Sequence, residues 1–533
     1  MVTRADYDRT VTVERGEGDL ATVGRRERVL SWWRRWEFPV GMLGSVLVAL
    51  GAFGVADIPR VNTAAQDAGW AWITYGHGKT LAAVLFWTGV ALLVFCWVRI
   101  GRIVAAGDGI GVRQMRAAVL AWAAPLTMTV PVYSRDVYAY LAQAEVFRAG
   151  FNPYSDGPVH QPGPMLDSMA QVWAATTAPY GPTFMWLGRG VVALADGNVI
   201  LGVQLMRAVL IPGLLLSLWA IPRLARHFGA SPQQGLWLAV LNPMILIHLV
   251  AGAHVELLMM GVLVAGVALA VTGRAKRGGC SWWHVTGLAV LGLAATIKIT
   301  AAIAIPFVFW IWLAHLRDRA DETDPGQPLT RGRVAAVFAA TATIPLAVFA
   351  LISACSGLGI GWLTGLTWAG RIINWLSIPT LVGHLVTWIA APWQAWNLQA
   401  VLVYTRAVGA VVLAVLLVAM WIRFRQSERS AMAGMVLAML AVLLLEPSTL
   451  PWYYTWVLCL AVAFTLPGWV RAVVVFASTV QLIVFQPDDS ILLYKPLELL
   501  LAFALGALAA IALLRPDPLR LRRLAGIPDP PVR

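Results

Sequence analysis

Long apolar runs alternate with short polar links along most of the chain. Most runs have roughly 15 to 25 residues, close to the length at which an α-helix crosses a bilayer, whereas barrel strands would alternate over about ten. The pattern predicts an all-α polytopic membrane protein with about 14 transmembrane helices. We place these spans at 38–57, 80–98, 117–133, 199–222, 234–251, 255–272, 283–299, 300–314, 334–355, 400–421, 431–446, 453–467, 471–486 and 497–514.

The longest polar interruption of this pattern lies at 131–184. Ser134 is a candidate N-cap and Gly150 a candidate stop for a helix that follows a membrane-length run. Helical spacing places Asp136 and Tyr140 on one face of this helix. A carboxylate where a membrane helix meets water favours a functional role, because polar groups at membrane depth are costly. An acid in a first turn is also explained as a partner of the helix dipole.

Composition agrees with a membrane protein. Hydrophobic residues make up 59% of the 533 positions, charged residues make up 13%, and the mean hydropathy is +0.72. Soluble domains carry about 25% charged residues. The formal charge of +13 does not indicate nucleic acid, because the basic residues lie in the links between apolar runs. We therefore expect membrane lipids and no nucleic acid among the partners.

The positions of the basic residues predict the orientation. About three quarters of the 40 Lys and Arg residues lie in links on one side, which the positive-inside rule makes cytoplasmic. The chain is then a multi-pass protein of the cell membrane with both termini cytoplasmic and an extracytoplasmic active site. Its predicted parts are an N-terminal tail at 1–37, a membrane domain at 38–514 with outer loops at 134–184 and 356–398, and a basic tail at 515–533.

Candidate functional residues recur in the outer links. Glu256 begins a span, so its acid also suits a helix N-terminus. Lys298 has apolar neighbours, which fits either a snorkelling side chain or a cation that binds a lipid phosphate. Most outer aromatic residues fit an interfacial belt, although some suit sugar rings. The candidates on this side are Asp136, Tyr140, Tyr180, His254, Glu256, Lys298, Arg371, Tyr453 and Tyr454.

Four cysteines lie far apart at 96, 280, 355 and 459. They form no CxxC or Cys/His spacing, so they predict neither a disulfide framework nor a zinc site. No metal ligand set and no cofactor is predicted, and a need for a divalent metal stays open.

Several segments together resemble a known family: SRDVYAYLAQ with GFNPY, APYGPTF, NPMILIHLVAGAHVE, IKITA and PWYYTW. They are similar to the actinobacterial polyprenyl-phosphomannose-dependent α-1,6-mannosyltransferases, which build lipomannan and lipoarabinomannan. The resemblance covers essentially the whole membrane region. It implies a C-type glycosyltransferase fold, a polyprenyl-phosphate-mannose donor in the outer leaflet, and a mannan acceptor on a phosphatidylinositol mannoside. It does not separate the enzyme that starts this backbone from the one that extends it.

The resemblance also implies roles for individual residues. Asp136 maps to the proposed catalytic base. Inversion from a β-linked donor to an α-linked product needs one such base, unlike the carboxylate pair of a retaining glycosidase. The family's His-Asn-Asp motif reads His254-Val255-Glu256 here, which leaves the role of Glu256 open.

The remaining candidates divide between phosphate and sugar. Lys298, with Arg371 or Arg135, would neutralise the departing phosphate. His254 and Glu256 would position sugar hydroxyls or the phosphate. The four tyrosines at 140, 180, 453 and 454 are candidates for sugar and acceptor binding.

Two alternatives fit the same hydropathy. A transporter or flippase of a lipid-linked sugar would also use about 14 helices, although its site would lie near the bilayer midplane rather than at helix ends on one face. A glycosyltransferase of another surface glycan would keep the fold and change the acceptor.

Overall fold

The computed structural model describes residues 35–59, 61–107, 109–272, 282–323, 325, 328–515 and 517–519. The predicted N-terminal tail up to residue 34 and the C-terminal tail beyond 519 lie outside the described residues. Within these ranges the regular structure is helical, apart from one isolated β-bridge between Phe485 and Ile491. The predicted all-α class is confirmed.

We number the α-helices of eight or more residues along the chain. They are α1 Glu37–Val55, α2 Gly76–Ala106, α3 Val112–Leu126, α4 Asp136–Arg148, α5 Pro182–Ala195, α6 Val199–His227, α7 Pro232–Ala239, α8 Glu256–Thr272, α9 Trp282–Ile297, α10 Ile305–Thr323, α11 Arg331–Ser356, α12 Ile378–Ala390, α13 Leu398–Arg423, α14 Glu428–Leu445, α15 Tyr454–Ala461, α16 Gly468–Val484 and α17 Pro496–Leu514.

Within the described ranges, eight helices are long and apolar enough to cross a membrane, or nine if one bent pair counts as a single span. These helices make the chain a membrane protein. Four further apolar helices, α8, α9, α12 and α16, have only 10–17 residues. The expected count of about 14 spans stays a prediction.

The bent pair consists of α7 and the segment Pro243–Ala251, which meet at 53°. Pro243 cannot continue a helix, because it lacks a backbone N–H and its ring clashes with the preceding turn. Asn242 restarts the helix by accepting the Met244 N–H on its side-chain oxygen at 3.0 Å. The segment then widens into a π-helical turn at Ile247–Ala251, a feature that is frequent at functional sites.

Some predicted spans differ from the observed helices. The span expected at 117–133 corresponds to α3, which ends at Leu126. Beyond it the chain is held in a non-helical path, since Tyr133 has a φ of 70° and donates its backbone N–H to Pro487 at 3.1 Å. In the span expected at 453–467, α15 covers only Tyr454–Ala461. The second outer loop contains α12, which its apolar composition allows.

Helices α6 and α8 cross in backbone contact. A Cβ at Gly213 would lie 2.0 Å from the Leu257 carbonyl oxygen, and one at Gly261 would lie 2.1 Å from the Gly213 oxygen. Only glycine fits such a crossing, and small residues are the usual means of close helix packing in membranes. The contact fixes the start of α8, where Glu256 lies.

The two large outer loops pack against each other beside the main core. Tyr154, from the first loop, and Trp362, from the second, belong to one small buried cluster. Arg371 donates from its guanidinium to the Val172 carbonyl at 3.0 Å. The Tyr154 hydroxyl donates to the Tyr180 carbonyl at 2.9 Å. The loops therefore form one cap over the same end of the helices.

Candidate active site

The first outer loop presents Asp136 at the start of α4. The Asp136 N–H donates to the Ser134 hydroxyl oxygen at 3.0 Å, and α4 ends at Arg148, before Gly150 with a φ of 91°. The predicted helix is therefore confirmed with its first residue at Asp136, but the N-cap position is Arg135 rather than the predicted Ser134, which lies one residue earlier. The Asp136 side chain is 27% exposed, so its carboxylate lies at an open edge rather than in the core.

His254 lies against Asp136 from the loop that precedes α8. Its Nδ1 is 3.5 Å from the Asp136 Oδ2, and its ring stacks on Trp452 with centroids 3.7 Å apart. The Tyr140 hydroxyl is 3.5 Å from the same Nδ1 and accepts the Val255 N–H at 3.5 Å. These contacts hold the imidazole beside the carboxylate.

This setting decides the charge of Asp136. Burial raises the pKa of the carboxyl, but the interactions with His254 and the Ser134 hydroxyl and the charge of Lys298 outweigh it, and the pKa falls below its ordinary value of 3.8. Burial raises the pKa of Tyr140 and of Tyr180 well above 10. At neutral pH Asp136 is therefore an ionised group able to accept a proton, whereas the two phenols stay neutral.

The second acid of the site, Glu256, is fully buried and forms an ion pair with Lys298. We call the segment 451–456 the late outer turn. The Lys298 Nζ also lies over two rings of this turn, 4.3 Å from the Tyr453 centroid and 5.4 Å from that of Trp456. The other Glu256 oxygen, Oε2, makes no hydrogen bond within the described part of the chain. A lysine with one paired proton keeps two donors for an anionic ligand.

Two sequence segments position Lys298. The Gly181 N–H donates to the Ile297 carbonyl at 3.1 Å, and the hydroxyls of Thr183 and Thr296 are 2.7 Å apart. A Cβ at residue 181 would lie 2.1 Å from the Thr296 carbonyl oxygen, so this approach requires glycine. The segments 180–183 and 296–300 therefore dock directly on each other, a contact that the sequence patterns did not predict.

Behind the site, Arg207 supports the loop that carries His254. This buried side chain of α6 donates to the Ala251 carbonyl at 2.7 Å and to the Thr127 carbonyl at 3.1 Å. Both carbonyls lie at breaks in helical structure, where backbone oxygens lose their usual partners. A lone arginine inside an apolar run is the signal for this support in the sequence.

Sequence reasoning also missed Glu446, Trp452 and Trp456. Glu446 follows the last residue of α14, where burial raises its pKa well above 4.5 despite the opposing charge of Lys298. The available signals were an acid that ends an apolar run before Pro447 and the dense aromatic segment PWYYTW.

The structure brings most predicted residues together but places three of them elsewhere. Arg135 forms an ion pair with Asp57 at 2.5 Å. Arg371 contacts the first loop, and Tyr454 begins α15, partly buried against the hydrophobic core. The residues linked by contacts in the site are Asp136, Tyr140, Tyr180, His254, Glu256, Lys298 and Tyr453.

The chain matches two family models. Residues 38–314 match the model described as "Alpha-(1->6)-mannopyranosyltransferase, N-terminal domain", and residues 379–515 match "MptB C-terminal domain". The first region supplies Asp136, His254, Glu256 and Lys298, and the second supplies the rings of the late outer turn. No solved structure gives a significant match.

Curated relatives carry the same description. Alpha-(1->6)-mannopyranosyltransferase A of Mycobacterium tuberculosis is 39% identical over 90% of each chain. The protein of that name from Corynebacterium glutamicum is 32% identical over 88% of this chain and 96% of its own. Alpha-(1->6)-mannopyranosyltransferase B of the latter organism is 28% identical over 79% of this chain and 71% of its own. Because both family regions and nearly the whole length of the mycobacterial relative are matched, this chain belongs to the α-(1→6)-mannopyranosyltransferase family, whose members are membrane enzymes that transfer mannose.

Proposed function

We propose that this enzyme transfers mannose from polyprenyl-phosphate-mannose to an α-1,6-mannan acceptor on a phosphatidylinositol-mannoside-type glycolipid. The transfer inverts the anomeric carbon in a single displacement, in which the acceptor 6-hydroxyl attacks and the polyprenyl phosphate departs. The product belongs to the lipomannan and lipoarabinomannan backbone. The observation that carries this proposal is an ionised, partly open carboxylate at Asp136, near enough to Lys298 for the lysine charge to lower its pKa, with the lysine ammonium over the rings of Tyr453 and Trp456.

Asp136 acts as the general base. Its carboxylate is accessible to an acceptor hydroxyl, whereas Glu256 is fully buried and paired with Lys298. Burial raises the pKa of the third acid, Glu446, well above 4.5. His254, stacked on Trp452, keeps Asp136 ionised and oriented until the hydroxyl proton is taken. An inverting transfer requires only this one base near the acceptor.

Lys298 binds the donor phosphate. One of its protons is occupied by Glu256, and the others face the Tyr453 and Trp456 side of the pocket. A monophosphate needs a cation as a negative leaving group develops, and surroundings that exclude water strengthen this interaction. The two rings also offer flat apolar faces for a sugar. Arg135 and Arg371 hold the loops on this side through their own protein contacts.

The site faces the outside of the cell in this proposal. Asp136, Lys298 and Glu446 lie at the ends of helices opposite to those that carry Arg223, Arg226 and Arg317. Arginine-rich ends favour the cytoplasm, so both termini are cytoplasmic and the donor is taken from the outer leaflet. Cysteine labelling of intact cells at Ser155 and Gln426 tests this topology. A reagent that reaches position 426 but not position 155 would reverse it.

The activity test uses purified enzyme with labelled polyprenyl-phosphate-mannose and a short α-1,6-mannoside. We expect a product longer by one α-1,6-linked mannose, together with released polyprenyl phosphate. A β-linked product would contradict inversion. Movement of the lipid-linked mannose across vesicles without transfer would instead identify a flippase, and transfer only to a different acceptor would identify another surface glycan as the product.

A further inference from the structure

A second polar cluster lies at the other end of the helices that carry the site. His227 is the last residue of α6, His315 lies in α10, and Glu428 is the first residue of α14. Their ligand-type atoms all lie within 4.8 Å of one another. α14 connects the two places, because Glu428 begins it and Glu446 of the active site follows its end, about 27 Å away along the helix. The mechanism uses none of these three side chains.

We propose that His227, His315 and Glu428 form a binding site for one divalent transition-metal ion, with Zn²⁺ as the ion that it takes. Two imidazole nitrogens and one carboxylate oxygen are a ligand set that suits zinc, with water at the fourth position. The proposal does not depend on the mannosyl transfer proposed above, since the ion lies far from the reacting groups.

The geometry of the cluster is convergent. The Nε2 atoms of His227 and His315 lie 2.7 Å and 2.9 Å from the same oxygen, Glu428 Oε1. Ligand atoms around a tetrahedral zinc ion lie about 3.3 Å apart, so the side chains must open by about half an ångström. His227 and Glu428 are 17% and 16% exposed, which leaves them room to move and opens a path for the ion, whereas His315 is 5% exposed and fixed.

The orientation of His315 favours a metal over a simple hydrogen-bonded cluster. Its Nε2 is buried and points towards Glu428 but lacks hydrogen-bond geometry to any described group. Its other nitrogen, Nδ1, is 2.9 Å from the Nε2 of His284, whose ring stacks on Trp312 at 4.9 Å. A partner on the second ring nitrogen is the usual arrangement around a metal-bound histidine, because it fixes the tautomer and the ring orientation.

Such an ion would join the two halves of the chain. His227 lies in the first family region and Glu428 in the second. At the same junction, Arg429 donates to the Phe228 carbonyl at 2.8 Å and lies over the Phe464 ring. A metal bound only by the folded arrangement stabilises it by an amount that grows with the logarithm of the free metal concentration divided by the dissociation constant. We therefore assign the ion a structural role, as a clamp between α6, α10 and α14.

The test uses full-length protein in detergent, purified without a polyhistidine tag. The wild type, stripped with chelator and dialysed against Zn²⁺, should retain about one zinc ion per chain by elemental analysis. Its apparent melting temperature should rise by a few degrees on adding Zn²⁺. His315→Gln and Glu428→Gln should each lower retention at least about tenfold and remove the Zn²⁺-dependent rise.

His384→Gln is the matched control, because this histidine is also partly buried but lies outside the cluster, near Tyr494. This variant should retain as much zinc as the wild type and show the same Zn²⁺-dependent rise in melting temperature. Glu428→Gln keeps the shape of the side chain and an acceptor oxygen, so it separates metal binding from hydrogen bonding. Wild-type protein that retains no zinc, or variants that retain as much as the wild type, would overturn the proposal. The proposal would also be overturned if the variants melt at a lower temperature than the wild type but Zn²⁺ changes the melting temperature of neither. The three side chains would then form a hydrogen-bonded cluster without a metal.

Discussion

The two family regions contribute different chemistry to one site. Region 38–314 supplies the groups that carry charge, with Asp136 beside His254 and Glu256 paired with Lys298. Region 379–515 supplies ring faces, since Trp452 stacks on His254 and Tyr453 covers Lys298. In this site, His254 and Lys298 of the first region each lie against an aromatic ring of the second. In the proposed mechanism, region 38–314 therefore supplies the reacting groups. Region 379–515 orients their side chains and excludes water from them.

Asp136→Asn removes the base from the charged region and should have the largest effect. The amide keeps the shape of the side chain but cannot take a proton, so turnover should fall about 10²- to 10⁴-fold with an unchanged melting temperature. Turnover with labelled donor and short acceptor measures it. Asp167→Asn, an exposed acid in the same loop, is the control and should retain full activity. Purified Asp136→Asn with more than about a tenth of wild-type turnover would end the assignment.

Lys298→Met should be the second largest perturbation. Loss of the charge should weaken donor use by about ten- to a hundredfold and affect acceptor use far less. The single variant also leaves Glu256 buried without its partner, which costs about 3–5 kcal/mol of stability.

A double variant separates these two effects of Lys298. Lys298→Met with Glu256→Gln removes both charges, so the melting temperature should recover while the apparent affinity for the donor stays low. Donor kinetics and thermal unfolding are measured for the two variants side by side. If the double variant regains wild-type donor kinetics, Lys298 serves stability and does not bind the phosphate.

Tyr453→Leu tests the aromatic region and should have a smaller effect. It removes the ring 4.3 Å from the Lys298 ammonium, an interaction worth about 0.5–2 kcal/mol. The donor KM should rise about three- to thirtyfold with little change in kcat. Tyr454→Leu is the matched control, because it removes the same side chain one residue away while the Lys298 ammonium lies over the rings of Tyr453 and Trp456. If Tyr454→Leu raises the donor KM more than Tyr453→Leu does, the substrate contact lies at Tyr454 and the role proposed for Tyr453 is wrong.

The smallest expected effect is on the pH profile. Because the pKa of Asp136 lies below 3.8 in the folded enzyme, the carboxylate stays ionised on acidification to about pH 5, and its stabilising contribution is lost only as pH falls through that pKa. The kcat/KM of the wild type should therefore lack an acid limb from Asp136 in this range. His254→Gln removes one of the interactions that lower the pKa of Asp136. The acid limb of kcat/KM should therefore move to higher pH in this variant. An identical acid limb in both proteins would show that His254 does not set the charge of Asp136.

The site was predictable where its residues lie within short, distinctive segments. The helix at Asp136 and the selection of His254, Glu256 and Lys298 as candidates follow from local patterns. The partners that complete the site were not predictable from the sequence, because only tertiary packing brings Trp452 to His254 and Glu446 towards Lys298. The cluster of His227, His315 and Glu428 spans 201 residues, and nothing in the local sequence joins its members.

Helix boundaries failed for a different physical reason. Hydropathy reports how long a run is apolar, but not where its backbone breaks. The run before Tyr133 continues past the end of α3, and Pro243 bends a run of sufficient length by 53°. The bend was signalled by Asn242-Pro243, whereas the short α15 gives no comparable signal.

The glycine crossing of α6 and α8 lies immediately below Glu256, and it has a genetic consequence. A single methyl group at Gly213 would push on the backbone of Leu257, and the displacement would pass within one residue to the acid that holds Lys298. Inactivating mutations should therefore form two spatial groups. One lies around Asp136, and the other lies along the glycine contact between α6 and α8, away from the substrates. Alleles of the second group should be rescued by compensating small residues on the opposite helix, which the first group does not permit.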